Sequence, residues 1–253
     1  TITINSPITE QANFIELYKI TFIESGLPNT TTWYVYLSNG QSYSTSGTSI
    51  SVQMPNGSYS YTIATADKEY SAQGGLFIVN GSDMEVNIKF NPVTYAITFS
   101  ESGLPSGTSW SLTLDNITES STNGTIIFNE PNGTYSYSIS GIPGYRTTSY
   151  SGTVIANGNT IDENITWSVI LYPITITENG IPNGTSWSAT ITGTAFNGQY
   201  INVTLSSTTN TITFNEPNGT YSYSIHLPSG YNGNNLKGTV DLVGSSVTSS
   251  VKA

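Results

Sequence analysis

The stretch NEPNGTYSYSI occurs twice in the chain, at residues 129–139 and 215–225, and a looser copy, MPNGSYSYTI, lies at residues 54–63. Each copy places a Pro-Asn-Gly turn before a run in which aromatic and small polar residues alternate. Proline fixes φ and Asn-Gly tolerates positive φ, so the triplet favours a tight turn. Alternation at period two is typical of a β-strand with one buried face. The stretch therefore predicts a turn and a strand that recur within a structural module.

The rest of the chain repeats in the same register. Trp33, Trp110 and Trp187 are spaced 77 residues apart, and each follows a Glu-Ser-Gly-Leu-Pro segment or a close variant of it. In the third copy the Asn-Gly turn comes later, which indicates an insertion within residues 193–207. Short alternating runs fill each copy, and none has helical periodicity.

These repeats predict an all-β fold of three tandem immunoglobulin-like β-sandwich domains, with a tryptophan anchoring each core. We place the domains at 18–94, 95–171 and 172–253, preceded by an extended N-terminal segment at 1–17. A β-barrel is the main rival within the all-β class.

The composition argues against several classes of protein, among them nucleic-acid-binding, membrane-spanning and disordered chains. Charged residues make up 9% of the chain, with 16 acids against 6 bases. Nucleic acid is therefore not an expected partner, because phosphate binding needs clustered Lys and Arg. No apolar run approaches the roughly 20 residues that span a bilayer. The 17 Tyr, 8 Phe and 4 Trp argue against disorder.

Residues that carry catalysis are scarce. There is no cysteine, and His226 is the only histidine, so a nucleophilic triad could be built at most once. Glu24, Glu101 and Glu178 occupy equivalent positions in three repeats and cannot pair within one site, which favours a structural hydrogen bond in the turn that follows them. We expect no enzyme activity, no cofactor and no metal site.

The N-terminal segment 1–17 reads as a strand without a domain of its own, with Ile2, Ile4, Ile8 and Phe14 as its apolar side chains. Shifted by the repeat period, residues 7–17 align with the last strand of the first and second repeats, whereas the last strand of the third is poor in apolar residues. This pattern indicates donor-strand complementation, in which the segment of one copy completes a sheet of the next and builds a head-to-tail filament. The alternatives are a segment that folds back on the first repeat, or a tether.

Asn-X-Ser/Thr sequons are numerous and fall mostly in predicted turns, where we expect N-linked glycans on a secreted protein. They lie at Asn29, Asn56, Asn80, Asn116, Asn123, Asn132, Asn164, Asn183, Asn202 and Asn218.

The phrase Glu-Ser-Gly-Leu-Pro-x-Gly-Thr-x-Trp, complete at residues 101–110, resembles repeats of secreted proteins from thermoacidophilic archaea. In architecture the chain is most similar to the archaeal thread type of surface pilus. That resemblance implies an extracellular, glycosylated filament subunit that polymerises with itself through an N-terminal donor strand and serves adhesion or cell contact.

Two other functions remain open. One is a surface-layer or adhesin stalk that does not polymerise. The other is a carbohydrate-binding module, for which the pairs Tyr59/Tyr61, Tyr135/Tyr137 and Tyr221/Tyr223 are candidates, although their spacing favours a place in the core.

Overall fold

The computed structural model describes residues 11–252, and over these residues the chain forms strands, turns and loops without a helix. Ile2, Ile4 and Ile8 lie outside the described residues. By the density of its contacts the chain divides into two compact units. The first comprises the described residues up to Tyr95 together with Asn129–Gly133, and the second comprises Ala96–Phe128 and the residues from Thr134 onward.

The first repeat is built as two sheets packed face to face. Its strands are β1 (Tyr18–Ser25), β2 (Trp33–Leu37), β3 (Ser42–Thr45), β4 (Ser49–Met54), β5 (Gly57–Thr65), β6 (Tyr70–Ser71), β7 (Gly75–Val79), β8 (Met84–Lys89) and β9 (Asn91–Pro92). One sheet has the order β4-β1-β8 and the other β3-β2-β5-β7, while β6 pairs with β9. Strand β1 runs antiparallel to β4 and parallel to β8.

The second repeat follows the same plan with a fourth strand in its first sheet. Its strands are β10 (Tyr95–Ser102), β11 (Trp110–Leu114), β12 (Ile117–Ser121), β13 (Thr125–Glu130), β14 (Gly133–Ile139), β15 (Tyr145–Thr147), β16 (Ser151–Ala156) and β17 (Ile161–Val169). The sheets have the orders β13-β10-β17-β15 and β12-β11-β14-β16.

The third repeat has a longer hairpin in its second sheet. Its strands are β18 (Tyr172–Asn179), β19 (Trp187–Ala195), β20 (Tyr200–Ser207), β21 (Thr211–Glu216), β22 (Gly219–His226), β23 (Lys237–Leu242) and β24 (Val247–Lys252). The sheets have the orders β21-β18-β24 and β20-β19-β22-β23. Strands β19 and β20 have 9 and 8 residues, against 5 each for β11 and β12, so the insertion predicted at 193–207 extends this hairpin.

Each repeat encloses a hydrophobic core of its own between its two sheets, because the alternating residues of both sheets point inward. The tryptophan side chains are 0%, 2% and 2% exposed in the first, second and third cores, which confirms their role as core anchors. The three separate cores support our division into three domains, which stays a proposal.

The recurring turn and strand of the opening stretch are held by a tyrosine. Tyr59 donates from its hydroxyl to the Pro55 carbonyl at 3.0 Å, and Tyr221 donates to the Pro217 carbonyl at 2.8 Å. The same residue thus fills the core and satisfies a carbonyl of its own turn, which explains why turn and strand repeat together.

Candidate assembly surfaces

The segment before β1 exposes apolar side chains. Residues 11–17 form neither strand nor helix, and Phe14, Ile15 and Leu17 are 94%, 72% and 51% exposed. The Tyr18 hydroxyl donates to the Glu16 carboxylate at 2.6 Å, and this hydrogen bond raises the pKa of Tyr18. Contiguous exposed apolar residues are uncommon in a soluble chain and typically mark an interaction site.

The three repeats differ at one sheet edge. In the second repeat β15 covers the end of β17, with Arg146 opposite Ser168. In the first repeat β6 covers β9, with Ser71 opposite Asn91. Among the described residues of the third repeat, the corresponding segment forms a single bridge, in which the Asn234 amide donates to the Lys252 carbonyl at 3.0 Å. Among the described residues, the third repeat therefore shows the shortest pairing at this edge.

The side chain that packs beneath this edge is also less buried in the third repeat. Tyr145 at the start of β15 is 6% exposed, and its counterpart by the repeat alignment, Tyr231, is only half-buried and packs against the core from outside. The Phe196 ring packs on Tyr145 with its centroid 5.6 Å away, and this contact contributes to the burial of Tyr145.

Two of the glutamates in the Glu-Ser-Gly-Leu-Pro segments and their variants accept hydrogen bonds from backbone amides of the turn that follows them. Glu178 is 2% exposed and accepts a hydrogen bond from the Ile181 amide at 3.0 Å, and Glu101 accepts one from the Leu104 amide at 3.4 Å. In the first repeat Glu24 has a buried carboxylate oxygen without a hydrogen-bond partner. The expected structural role holds for the two partnered residues.

Nothing in the described part of the chain gathers catalytic groups. No cluster of three His, Asp or Glu residues there could hold a metal ion, and His226 is exposed at the end of β22. A membrane-crossing helix, long and apolar enough to span a bilayer, is not found among the described residues.

The sequons sit mainly on the surface. All the sequon asparagines are exposed except Asn218, which is half-buried and accepts a hydrogen bond from the Gly244 amide at 2.8 Å. Asn132 donates to the Glu69 carboxylate at 3.2 Å. Asn164 and Asn202 lie within strands rather than in the turns that the sequence favours for most sequons.

The tyrosine pairs considered as sugar platforms belong to the cores instead. Tyr221 is fully buried, and Tyr59 and Tyr61 pack against the core of the first repeat. Tyr135 and Tyr137 pack in the same way in the second repeat. Two tyrosines that the sequence analysis did not single out, Tyr34 and Tyr36, lie on an outer sheet face, and a comparison of the strand WYVYL with WSLTL and WSATI would have revealed them.

No protein-family model matches the chain, and no curated protein is similar to it. Solved structures are similar in fold. The Bacillus anthracis TIE protein is 18% identical with a TM-score of 0.63, and the similarity covers 94% of this chain and 50% of that one. This chain therefore spans half the length of the TIE protein.

Two further structures are similar at lower scores. The major pilin subunit of Bacillus cereus is 11% identical with a TM-score of 0.41, and the match covers 94% of this chain and 100% of that one. The pilus adhesin SpaC of Lactobacillus rhamnosus GG is 11% identical with a TM-score of 0.35, over 94% of this chain and 44% of that one. The chain is an all-β protein of immunoglobulin-like sandwiches.

Proposed function

We propose that the protein is the structural subunit of an extracellular filament, assembled head to tail when the N-terminal segment of one copy completes a sheet of the next. The observation that carries the proposal is the exposed apolar segment before β1, with Phe14 94% exposed. A structural role rather than an enzymatic one accords with the scarcity of ionisable side chains, since 9% of the residues are charged.

Residues 2–14 have the pattern of a strand with one apolar face. Ile2, Ile4, Ile8 and Phe14 all occupy even-numbered positions, so an extended chain points them to the same side, opposite to Ile15 and Leu17. Added to a sheet, such a segment gains main-chain hydrogen bonds and buries alternate side chains.

We infer the acceptor site of the donor segment from the alignment of the repeats. By the 77-residue period Phe14 corresponds to Ser168, whose neighbour across the sheet is Arg146. The third-repeat counterpart of Arg146 is Asn232, within the sparsely covered segment 231–236. We therefore place Phe14 of one copy opposite Asn232 of the next. Because donor and acceptor lie at different places on the chain, the contact is heterologous, and copies add head to tail into a filament when the rotation between them does not close a ring.

Two matched substitutions test the assembly. Phe14→Asp places a charge on the apolar side of the donor at the proposed contact, and Asn13→Asp places the same charge on its other side. The first variant is expected to stay monomeric in size-exclusion chromatography and negative-stain microscopy, while the second polymerises as the wild type does. A wild type that remains monomeric, or that polymerises after deletion of residues 1–17, would overturn the proposal in favour of a stalk or tether.

We further propose that the exposed sequons carry N-linked glycans in the native host. Glycans would hydrate a surface that has few charges. Mass spectrometry of glycopeptides from native protein tests this, and Asn218 is expected to be less occupied because it is half-buried and engaged with Gly244.

A further inference from the structure

The outer face of the sheet β3-β2-β5-β7 differs from its equivalents in the other repeats. On β2, Tyr34 and Tyr36 stand where the second repeat has Ser111 and Thr113, and the third has Ser188 and Thr190. The two rings stack with their centroids 6.3 Å apart and their planes inclined by 13°. The first repeat therefore carries a pair of nearly parallel rings where the other two repeats have serine and threonine.

The edge strand of the same sheet is also apolar on its outer side. Leu76 and Ile78 on β7 are 82% and 66% exposed. The corresponding residues are Thr153 and Ile155 on β16 of the second repeat, where Ile155 is likewise 65% exposed, and Thr239 and Asp241 on β23 of the third. Natural proteins usually protect an edge strand with charge or proline, and β23 carries both a lysine and an aspartate whereas β7 carries no charge.

Hydroxyl groups separate the rings from the aliphatic pair. The pairing of β2, β5 and β7 places Thr62 beside Tyr36, Ser60 beside Leu76 and Ser58 beside Ile78. A shallow groove of about 310 Å³ runs along this side of the face, lined by Ser38, Ser58, Ser60, Leu76 and Ile78 among others. The face therefore alternates apolar surface with rows of exposed hydroxyls.

The four strands of this sheet contain no charged residue, whereas the equivalent sheets hold Glu119 in the second repeat and Lys237 and Asp241 in the third. An ionic partner finds no counter-charge here. A protein partner with a continuous apolar surface would bury the serine hydroxyls without partners, which costs free energy. A neutral sugar chain matches the pattern, because its C–H faces stack on aromatic rings and its hydroxyls exchange hydrogen bonds with Ser and Thr.

We propose that this face, Tyr34, Tyr36, Leu76 and Ile78 with the intervening hydroxyls, binds a neutral polysaccharide on the surface that the filament meets. This inference rests on the proposed function, because it names the chemistry of the surface to which the proposed filament would adhere. The binding itself needs only the first repeat, so it can succeed or fail independently of polymerisation.

The test is a pull-down of the full chain, produced without glycosylation, on insoluble mannan, cellulose and β-1,3-glucan, with affinities measured by calorimetry on soluble oligosaccharides of the same linkages. The binding variant is Tyr34→Ser with Tyr36→Thr, which installs the residues of the second repeat and so preserves the fold. Tyr200→Thr, which removes an exposed tyrosine of the third repeat, is the matched control. Loss of the rings is expected to weaken binding about tenfold or more, and the control is expected to leave it unchanged.

Three outcomes overturn the proposal: binding to none of the polysaccharides, equal binding by the ring variant and wild type, or binding by the native glycosylated protein only after Asn80→Gln. The last outcome would mean that the chain's own glycan covers the face. Negative-stain images of the same samples test polymerisation separately from polysaccharide binding, because the ring variant is expected to form filaments as the wild type does.

Discussion

At the scale of single residues, the three tryptophans at equivalent positions, Trp33, Trp110 and Trp187, differ in the hydrogen bonds of their indole nitrogens. The Trp33 indole donates to the Gly47 carbonyl at 2.8 Å, and the Trp187 indole donates to the Thr209 carbonyl at 2.6 Å. The buried indole nitrogen of Trp110 has no hydrogen-bond partner. A buried donor without a partner costs free energy that the other two cores avoid.

Tryptophan-to-phenylalanine substitutions measure this difference. All three variants lose ring volume, but Trp33→Phe and Trp187→Phe also leave a carbonyl without its donor, while Trp110→Phe removes an unpartnered N–H group. We expect Trp110→Phe to lower the free energy of unfolding by about 1 kcal/mol less than the other two. Urea unfolding followed by circular dichroism checks the order, and an equal loss in all three variants would contradict it.

Burial raises the pKa values of two neighbouring groups in the third repeat, Tyr221 and Glu216. Burial and the nearby Glu216 carboxylate raise the pKa of Tyr221 to about 12, and burial raises the pKa of Glu216. A raised carboxyl pKa means that the folded state favours the neutral acid, so ionised Glu216 lowers stability at neutral pH and this loss disappears as the pH falls through its folded pKa. For Tyr221 the stabilising neutral form is kept below pH about 10 and lost as the pH rises toward 12.

Glu216→Gln separates these effects, because glutamine stays neutral at every pH. The variant is expected to be more stable than wild type at pH about 7 and to match it below pH about 4, where the wild-type carboxyl is protonated. Its tyrosinate absorbance is expected to appear at lower pH, with Tyr221→Phe identifying the signal. Thermal unfolding across this range provides the readout, and a variant less stable at neutral pH would contradict the account.

At the scale of elements, period-two alternation and turn residues were enough to predict the strands and to locate the insertion of the third repeat. They were not enough to predict what the insertion contacts. The Phe196 ring at the tip of the β19–β20 hairpin packs on Tyr145 with centroids 5.6 Å apart, and it lies over Gly144. Such contacts join residues distant in sequence, and no local pattern encodes them. The parallel pairing of β1 with β8 escaped prediction for the same reason.

Gly144 and Gly158 form a matched pair that tests this contact. Both have positive φ, +79° and +76°, so alanine is strained at either position by about 1 kcal/mol. A Cβ at Gly144 would also meet the Phe196 ring, whereas a Cβ at Gly158 would have no atom within 4 Å. We expect Gly144→Ala to lower the thermal midpoint more than Gly158→Ala does.

The same pair can be compared in a Phe196→Ala background. With the ring removed, Gly144→Ala retains only its backbone strain, so its effect is expected to fall to that of Gly158→Ala. An unchanged difference between the two glycine variants would show that Phe196 does not contact Gly144 in solution.

At the scale of the whole molecule, the repeat period predicts a spare strand before the first domain, and we propose the edge beside residues 231–236 as its acceptor. The period alone does not identify that edge, because the pairing of β15 with β17 and the single bridge from Asn234 to Lys252 join residues that are distant in sequence. The outer face of β2, which we propose to bind sugar, is hard to recognise because Tyr34 and Tyr36 alternate as core residues do. Their place on the outer side of β2 distinguishes them, as does a comparison of WYVYL with WSLTL and WSATI.

Disulfide trapping between two differently labelled copies tests the assembly most directly, because the chain has no cysteine of its own. One preparation carries Phe14→Cys and the other carries Asn232→Cys, and the two are mixed under mild oxidation. Thr213→Cys, on the opposite edge of the same sheet, replaces Asn232→Cys as the control. Head-to-tail donation predicts a mixed disulfide dimer with Asn232→Cys and little with Thr213→Cys. Failure to form the mixed dimer, or equal yields from the two edges, would contradict it.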